Sequence, residues 1–412
     1  MTRAIGPIVL AAALLLSPAA ARADVVQDWN QIMLSTMIAQ SPFAQARFAA
    51  ITQLAVFEAV NACSGTYEPY LGSIIAPAGA SADAAAIAAA HAVLKNYFPA
   101  AGPTLDGFRA ASLSGIPDGQ SKTDGLAVGA AAAAAMIALR ANDGSAPPQT
   151  FLPASSDPGV WQPTPPAFGP GILLNWRNVT PFALERADQF RLGPPPALTS
   201  ERYRRDYDEV KTLGDVNSTT RPPDRAAVVH FYAAVPPSQV FNQAVQQLSA
   251  AQGLSLVEEA RAFALINMAI SDALVAIFDT KYFYVFWRPV TAIRAGDTDG
   301  NPNTLGDPLW TPFITTPSFP SYASAHASGC GAAAKVAEMI FGPAGHDITL
   351  SNSAISGIVL HYTAFRDILS DVDDARIYGG IHYRFDQEEG GKLGRRVGRY
   401  VYKHELRPNH RH

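Results

Sequence analysis

The chain of 412 residues has few charged side chains, at 16% of the sequence, against 48% apolar residues. This balance lacks the signature of a disordered protein and provides material for a large buried core. The formal net charge of -4 also excludes the excess of basic residues that is usual in nucleic-acid-binding proteins. Because cations are scarce, a place where they cluster is informative.

Cysteine is nearly absent, with Cys63 and Cys330 as the two thiols. An exported protein could join them in a disulfide. Two separate thiols in helices are the favoured interpretation, because spacing alone does not bring their Cα atoms within bridging reach. The histidines His91, His230 and His346 also lack zinc-ligand spacing with any carboxylate or cysteine, which argues against a zinc site.

Long apolar runs are missing after the first residues. The N-terminus has Arg3, an apolar run at 8–16 and the small-x-small triplet at 21–23, which together predict a secretory signal peptide over residues 1–23. We therefore expect a secreted or periplasmic protein cleaved after Ala23. The Ala-rich stretch 126–139 is too short and too weakly hydrophobic to span a bilayer, so we expect a soluble mature chain without a membrane span.

Strand-type alternation is also nearly absent, and apolar spacing of three and four residues predicts an all-α protein. A Pro-, Gly- and Ser-dense stretch at 143–198 is too apolar for a free linker, so we expect it to wrap over the helices as ordered irregular structure. The interpretation is one helical domain over residues 24–412. Predicted helices lie in two segments within 28–62 and near 82–97, 121–141, 200–213, 224–234, 255–288, 323–341, 350–370 and 375–403.

The first of three informative motifs is DTKYFYVFWRPV, in which Lys281 and Arg288 are seven residues apart. In a helix this spacing places both cations on one face, and Pro289 then ends or kinks the helix. An alternative is that the two side chains extend to solvent from an aromatic-rich core helix.

The second motif, FPSYASAHAS, runs from a Pro-rich turn into a helix rich in small residues. Serine hydroxyls and unpaired amides at a helix start form an anion-binding position, and His326 in the first turn would face the bound group. Ordinary capping by Ser321 or Ser324, with a core histidine, is the alternative.

The third motif is ARIYGGIHYRFD, preceded by Asp373-Asp374 as a possible helix cap. His382 and Asp386 are four residues apart and would lie on one helical face, where the carboxylate fixes the imidazole tautomer. Arg376 reaches the same anion through its long side chain. An exposed helix pattern is the alternative for this segment alone.

Together the motifs supply the donors that a tetrahedral oxyanion such as phosphate or vanadate requires. His382 would take the apical position and His326 would lie opposite as acid or base. Asp272 and Asp279, on the same predicted helix as Lys281, could orient the cations or serve helix pairing.

The three motifs resemble the signatures of the type 2 phosphatidic acid phosphatase and vanadium-dependent haloperoxidase superfamily: Lys-x6-Arg-Pro, Pro-Ser-(insert)-Ser-x-His and Arg-x5-His-x3-Asp. The opening segment DWNQIMLSTMIAQS and the phrase RIYGGIHYRFD are similar to the secreted bacterial haloperoxidase-like branch. The resemblance implies a fold of two packed helical bundles, with vanadate or a phosphoryl group as the bound species.

The resemblance also implies roles for individual residues. Oxygens would be held by Lys281, Arg288, Arg376, the Ser324 hydroxyl and the Ala325 amide. His382 would bind vanadium or attack phosphorus, His326 would act as acid-base residue, and Asp386 would orient His382.

Two positions depart from the family pattern. Ala325 replaces a usual glycine, keeping the amide but adding a methyl group, and Ala375 stands where serine often precedes the arginine. The leading hypothesis is an exported vanadium-dependent haloperoxidase that uses hydrogen peroxide and halide. The alternatives are an acid phosphatase acting on phosphomonoesters through a phosphohistidine, and a non-catalytic oxyanion-binding protein.

Overall fold

The computed structural model describes residues 24–409, so the predicted signal peptide lies outside the described residues. Residues 24–409 form thirteen α-helices and one β-hairpin. The elements are α1 Val25–Thr36, α2 Pro42–Ser64, α3 Ala82–Tyr97, α4 Gly102–Ser114, α5 Gln120–Arg140, α6 Glu201–Leu213, α7 Pro223–Ala234, α8 Pro237–Gln252, α9 Leu256–Tyr284, α10 Pro289–Arg294, α11 Ala325–Phe341, β1 Ala344–Ser351, β2 Val359–Ala364, α12 Phe365–Tyr378 and α13 Arg384–His404.

The helix starts follow from local capping chemistry. The hydroxyls of Ser41, Ser81 and Ser200 accept hydrogen bonds from first-turn amides of α2, α3 and α6. Ser255 and Glu258 form a capping box at the start of α9. The predicted helices near 82–97, 121–141, 200–213 and 224–234 are found within a residue of their expected limits, and serine caps explain where the first and third of them begin.

The core is organised around α9, which is buried along almost its whole length. It packs against α2 of an N-terminal group of helices and against α11 and α13 of a C-terminal group. Helices α11 and α13 approach closely: a Cβ atom added to Gly394 would lie 2.1 Å from the Ser328 carbonyl oxygen. The predicted all-α bundle architecture is therefore confirmed.

Two predicted helices are wrong in their limits. The segment 344–364 forms the antiparallel hairpin β1–β2 where a helix was expected from residue 350. The predicted helix 375–403 is two helices, because the chain turns at Gly379-Gly380 and Gly380 adopts φ +78°, which favours glycine. The sequence interpretation also missed α4, α8 and the short α10.

The Pro-rich stretch between α5 and α6 covers the helices as expected, with only a short 3₁₀ turn at Leu174–Asn178. Asp272 on α9 holds part of it: its carboxylate accepts hydrogen bonds from the amides of Phe182, Ala183 and Leu184 at 2.6, 2.7 and 2.9 Å. Asp279 pairs with Arg191 and Arg177 of the same stretch. These carboxylates therefore secure the covering segment.

Two helices of the described chain, α5 and α9, are long and apolar enough to pass a membrane-span test by length and composition. This corrects the expectation that no later segment would do so. The apolar part of α9 is wholly buried within the protein, as in the core helix of a globular fold, and one third of that of α5 is buried.

Cys63 on α2 and Cys330 on α11 are both free thiols, as the favoured interpretation held. The Cys330 thiol is buried, and this burial raises its pKa.

Candidate active site

Two of the predicted cations lie at the end of α9 and just beyond it. Helix α9 ends at Tyr284, where Val285 adopts φ +50°, so Arg288 lies outside the helix and caps α10. The expectation that Lys281 and Arg288 share a helical face is therefore wrong, although both side chains are fully buried. Pro289 occupies the first position of α10, where its missing N–H costs nothing.

The loop before α11 wraps around these cations. The Lys281 Nζ donates to the carbonyl oxygens of Pro320 and Ser321, at 2.8 Å each. The Arg288 Nε donates to the Phe319 carbonyl at 2.8 Å, and the Phe319 ring lies beneath both cations at 4.9–5.2 Å from its centroid. The loop that carries the second motif thus holds Lys281 and Arg288 of the first motif in place.

Helix α11 begins where the second motif predicts. Ser324 is its N-cap, with the hydroxyl oxygen accepting from the Ala327 amide at 3.3 Å. A hydroxyl that accepts one hydrogen bond can still donate another. In the first turn, the amides of Ala325 and His326 have no carbonyl partner inside the helix, so this helix start offers donors to an anion.

His382 lies in the turn between α12 and α13, and Asp386 lies in the first turn of α13. The two residues therefore do not stack on one helix, as expected, but their predicted contact is present. The His382 Nδ1 is 2.8 Å from Asp386 Oδ2, and its Nε2 is 3.0 Å from Arg288 Nη1. Donation from Nδ1 to the carboxylate leaves a lone pair on Nε2 that points toward the cations.

Ser321 completes the support of this histidine. Its hydroxyl donates to Asp386 Oδ2 at 2.5 Å and lies 3.3 Å from His382 Nδ1. The Tyr383 amide donates to the same carboxylate oxygen at 3.3 Å. Ser321 was noted in the second motif, but its role as a partner of Asp386 was not predicted, because the two residues are 65 positions apart.

The second arginine and the second histidine meet across two helices. Arg376 lies in the last turn of α12, and its Nη1 donates to the Tyr232 carbonyl at 2.7 Å. The same nitrogen is 3.4 Å from His326 Nδ1. Asp373-Asp374 lies inside α12 and not at its start, so the predicted cap is wrong, and Ala375 is a buried helix-interior residue.

Burial in a cluster of cations shifts the pKa values of the site. Desolvation, with neighbouring charges, lowers the pKa of Arg288 to about 9, and desolvation lowers that of Arg376 to about 10. Burial and the nearby Arg288 lower the pKa of Lys281. The pKa of His382 is far below its usual range for the same reasons, so the imidazole is neutral near pH 7. A bound oxyanion would offset the desolvation of all three cations.

Several buried polar atoms of the site lack a hydrogen-bond partner within residues 24–409: Arg288 Nη2, Arg376 Nε, His326 Nε2 and Asp386 Oδ1. Leaving buried donors of charged groups unpaired costs several kcal/mol in total, at about 1–3 kcal/mol each. Of these atoms, Arg288 Nη2 and Arg376 Nε are donors that remain available to hydrogen-bond a bound oxyanion. The residues present therefore fit a bound vanadate or phosphate.

An apolar cavity of about 290 Å³ opens onto these groups. His326, Arg376, His382 and Ala325 line its polar end. The Ala325 methyl group forms part of the wall where the family pattern has glycine. Four of the predicted site residues thus line the cavity, and Arg288 and Asp386 contact His382 from outside its lining. Asp272 and Asp279 are bonded to the covering segment and do not orient the cations.

Comparison with known proteins supports the resemblance drawn from the motifs. Residues 261–410 match the family model of the VCPO second helical-bundle domain. The chain is 24% identical to the vanadium chloroperoxidase of Curvularia inaequalis, in a match covering 49% of this chain and 44% of that protein. The match thus spans less than half the length of that relative.

Solved structures extend the likeness to nearly the whole chain. A bacterial vanadium-dependent iodoperoxidase superposes with a TM-score of 0.80 at 24% identity, covering 94% of this chain and 98% of that one. A holo-type bacterial vanadium-dependent chloroperoxidase superposes with a TM-score of 0.72 at 17% identity, covering 89% and 93%. The shared feature is the helical-bundle fold.

Proposed function

We propose that this chain, a relative of the vanadium haloperoxidases, is an exported enzyme that oxidises halide with hydrogen peroxide at a histidine-bound vanadate. The observation that carries the proposal is the orientation of His382, which Asp386 and Ser321 hold with its Nε2 lone pair toward the cations. Beside it, Arg288 Nη2 and Arg376 Nε have no hydrogen-bond partner among residues 24–409. Bound vanadate would supply the activation of peroxide toward halide.

The protein's contribution is to bind and orient. Arg288, Arg376 and Lys281 would hold oxygens, together with the Ser324 hydroxyl and the Ala325 amide at the positively polarised start of α11. Lys281 and Arg288 would exchange part of their present bonds to carbonyls and to His382 for bonds to the anion. Asp386 fixes the Nδ1–H tautomer, so that His382 would offer its Nε2 lone pair to a bound vanadate.

His326 is placed to move a proton. Its ring lines the cavity, its Nδ1 is 3.4 Å from Arg376 Nη1, and its Nε2 has no hydrogen-bond partner within the described residues. Burial and the Arg376 charge lower the pKa of His326 well below its usual range, so the ring is neutral. Because a guanidinium can only donate, Nδ1 accepts from Arg376 and the neutral ring carries its proton on Nε2, which can donate to hydrogen peroxide entering the cavity. Nδ1 can take up a proton once it releases Arg376.

The acid phosphatase alternative uses the same charged residues, so a pair of assays separates the two. We expect the purified chain to brominate a dye with vanadate, peroxide and bromide, and not to hydrolyse a chromogenic phosphomonoester without vanadate. His382→Ala should lower bromination at least ~100-fold, whereas His404→Ala, at an exposed histidine of α13 outside the cavity, should not. Hydrolysis without bromination would overturn the proposal in favour of a phosphatase. If His382→Ala left the measured activity intact, that activity would not arise at this site, and a non-catalytic oxyanion-binding role for the site would be favoured.

A further inference from the structure

Part of the active-site cavity is lined by the Pro-rich covering segment, a stretch to which the three motifs assign no function. Ile172 and Leu173 of this segment line the cavity together with Phe43 of α2, Leu274 of α9 and Phe319. These apolar side chains come from distant parts of the chain. They line the same cavity as His326, Arg376 and His382, which form its polar end.

Ile172 is an exposed apolar residue whose backbone is fixed. It is 44% exposed, its amide donates to the Ser318 carbonyl at 2.9 Å, and its carbonyl accepts from the Tyr282 hydroxyl. The next residue, Leu173, adopts φ +62°, a left-handed conformation that is unfavourable for a residue other than glycine. Strained backbone that the surroundings hold in place concentrates at ligand-binding positions.

The chemistry of the lining defines the ligand. An apolar wall favours an apolar body, and a cavity of about 290 Å³ lies at the small end of the range of ligand sites, suited to a compound of one ring. With an oxyanion held by the cations, a second negative charge at the polar end would be repelled. An uncharged phenol-like molecule meets both conditions.

We propose that this cavity binds a small uncharged aromatic molecule, held by Ile172, Leu173, Phe43 and Phe319, as the acceptor of the oxidised halogen. The inference rests on the proposed haloperoxidase function. In the overall change one hydrogen peroxide is reduced to two waters with uptake of a proton. Halide loses two electrons and replaces one aromatic hydrogen, which leaves as a proton that enters the water formed.

Equilibrium binding tests the site without turnover. Titration calorimetry with 4-propylphenol, on protein loaded with vanadate but without peroxide, should show saturable binding at one site, and 4-hydroxybenzoate should bind more weakly. Ile172→Ser should weaken 4-propylphenol binding on the order of fivefold, because about half of one isoleucine surface is available for covering.

Matched variants show whether a loss of affinity for 4-propylphenol is specific to Ile172. Ile75→Ser alters an isoleucine that is 88% exposed and outside the cavity, and it should leave the affinity unchanged. Ile172→Val keeps an apolar side chain and should retain most of the affinity. Absence of saturable binding, or equal affinity in Ile172→Ser and wild type with both folded by circular dichroism, would overturn the inference.

A competition assay tests the acceptor role. If the aromatic is bound during bromination, the enzyme should prefer 4-propylphenol over 4-hydroxybenzoate more strongly than hypobromite does in free solution, and Ile172→Ser should lower this preference. If the enzyme brominated the two compounds in the same ratio as hypobromite does in free solution, the acceptor role would be overturned while the haloperoxidase proposal stayed intact. Binding without any bromination would refute the haloperoxidase function and the acceptor role, but would support the aromatic site itself.

Discussion

Replacing Ser321 with alanine tests how the site keeps His382 ready to bind. The Ser321 hydroxyl donates to Asp386 Oδ2 at 2.5 Å, and the same oxygen accepts from His382 Nδ1 at 2.8 Å. Burial raises the pKa of Asp386 above the usual carboxyl value near 4, and the Ser321 hydrogen bond opposes that rise. Ser321→Ala should therefore raise the pKa of Asp386 further.

The sign of the effect follows from the tautomer. Ionised Asp386 accepts the Nδ1 proton and leaves the Nε2 lone pair of His382 free. When Asp386 is protonated it can donate to Nδ1, which moves the imidazole proton to Nε2 and removes the lone pair. Oxyanion binding should thus be lost as the pH falls through the pKa of Asp386. A higher pKa moves that loss to higher pH.

The size of the shift comes from the bond removed. A hydrogen bond to a charged acceptor contributes about 1.5–3 kcal/mol. His382 and the Tyr383 amide still donate to the carboxylate in the variant, so the lower end of this range applies. At about 1.4 kcal/mol per unit, Ser321→Ala should move the acid limit of binding upward by about one pH unit.

Vanadate affinity measured by calorimetry at a series of pH values checks this expectation. Ser328→Ala is the matched control, because Ser328 is a buried serine of α11 whose hydroxyl donates to the Ala273 carbonyl and touches neither Asp386 nor His382. The control should lose stability without moving the acid limit. An unchanged acid limit in Ser321→Ala, with the protein folded, would refute the assigned role of Ser321.

Two further substitutions address the cavity wall and the core. Ala325→Gly removes the methyl group that narrows the polar end of the cavity while keeping the amide. Initial bromination rates should rise, at a cost of at most about 1 kcal/mol in stability. An unchanged rate would show that the methyl group does not crowd the site. Burial, followed by the proximity of Asp24, raises the pKa of Glu259, so its stabilising contribution is complete below the usual glutamate pKa and falls as the pH rises. Glu259→Gln can keep the hydrogen bond from Gln27 and should be more stable than wild type by about 1–2 kcal/mol at pH 8 but not near pH 4; urea unfolding giving the same difference at both pH values would contradict this.

The composition of the site could be predicted from the sequence better than its geometry. Charge, spacing and resemblance identified Lys281, Arg288, Arg376, His326 and His382, all of which the fold brings to one place. Helical periodicity could not locate the break at Val285, since nothing in an aromatic-rich apolar run signals a left-handed residue.

Other errors had a visible signal. Gly379-Gly380 interrupts the third motif, and two successive glycines favour a turn over a continuing helix. The hairpin at 344–364 alternates buried and exposed residues in part of β1, but this alternation is too short and irregular to stand out beside long helices. The contacts of Ile172 join distant segments, so no local pattern predicts them.

The position of two helix starts at the site has a consequence for function. Helices α11 and α13 begin side by side, because the Ser324 amide donates to the Asp386 carbonyl at 2.9 Å. Two helix starts and the buried cations therefore act on the same small volume, which favours any tetrahedral oxyanion without distinguishing vanadate from phosphate. The choice between peroxidase and phosphatase chemistry must then lie with the second reactant. The apolar wall formed by Ile172, Leu173 and Phe43 favours a neutral apolar body beside the anion and disfavours phosphomonoesters whose organic part is polar or charged.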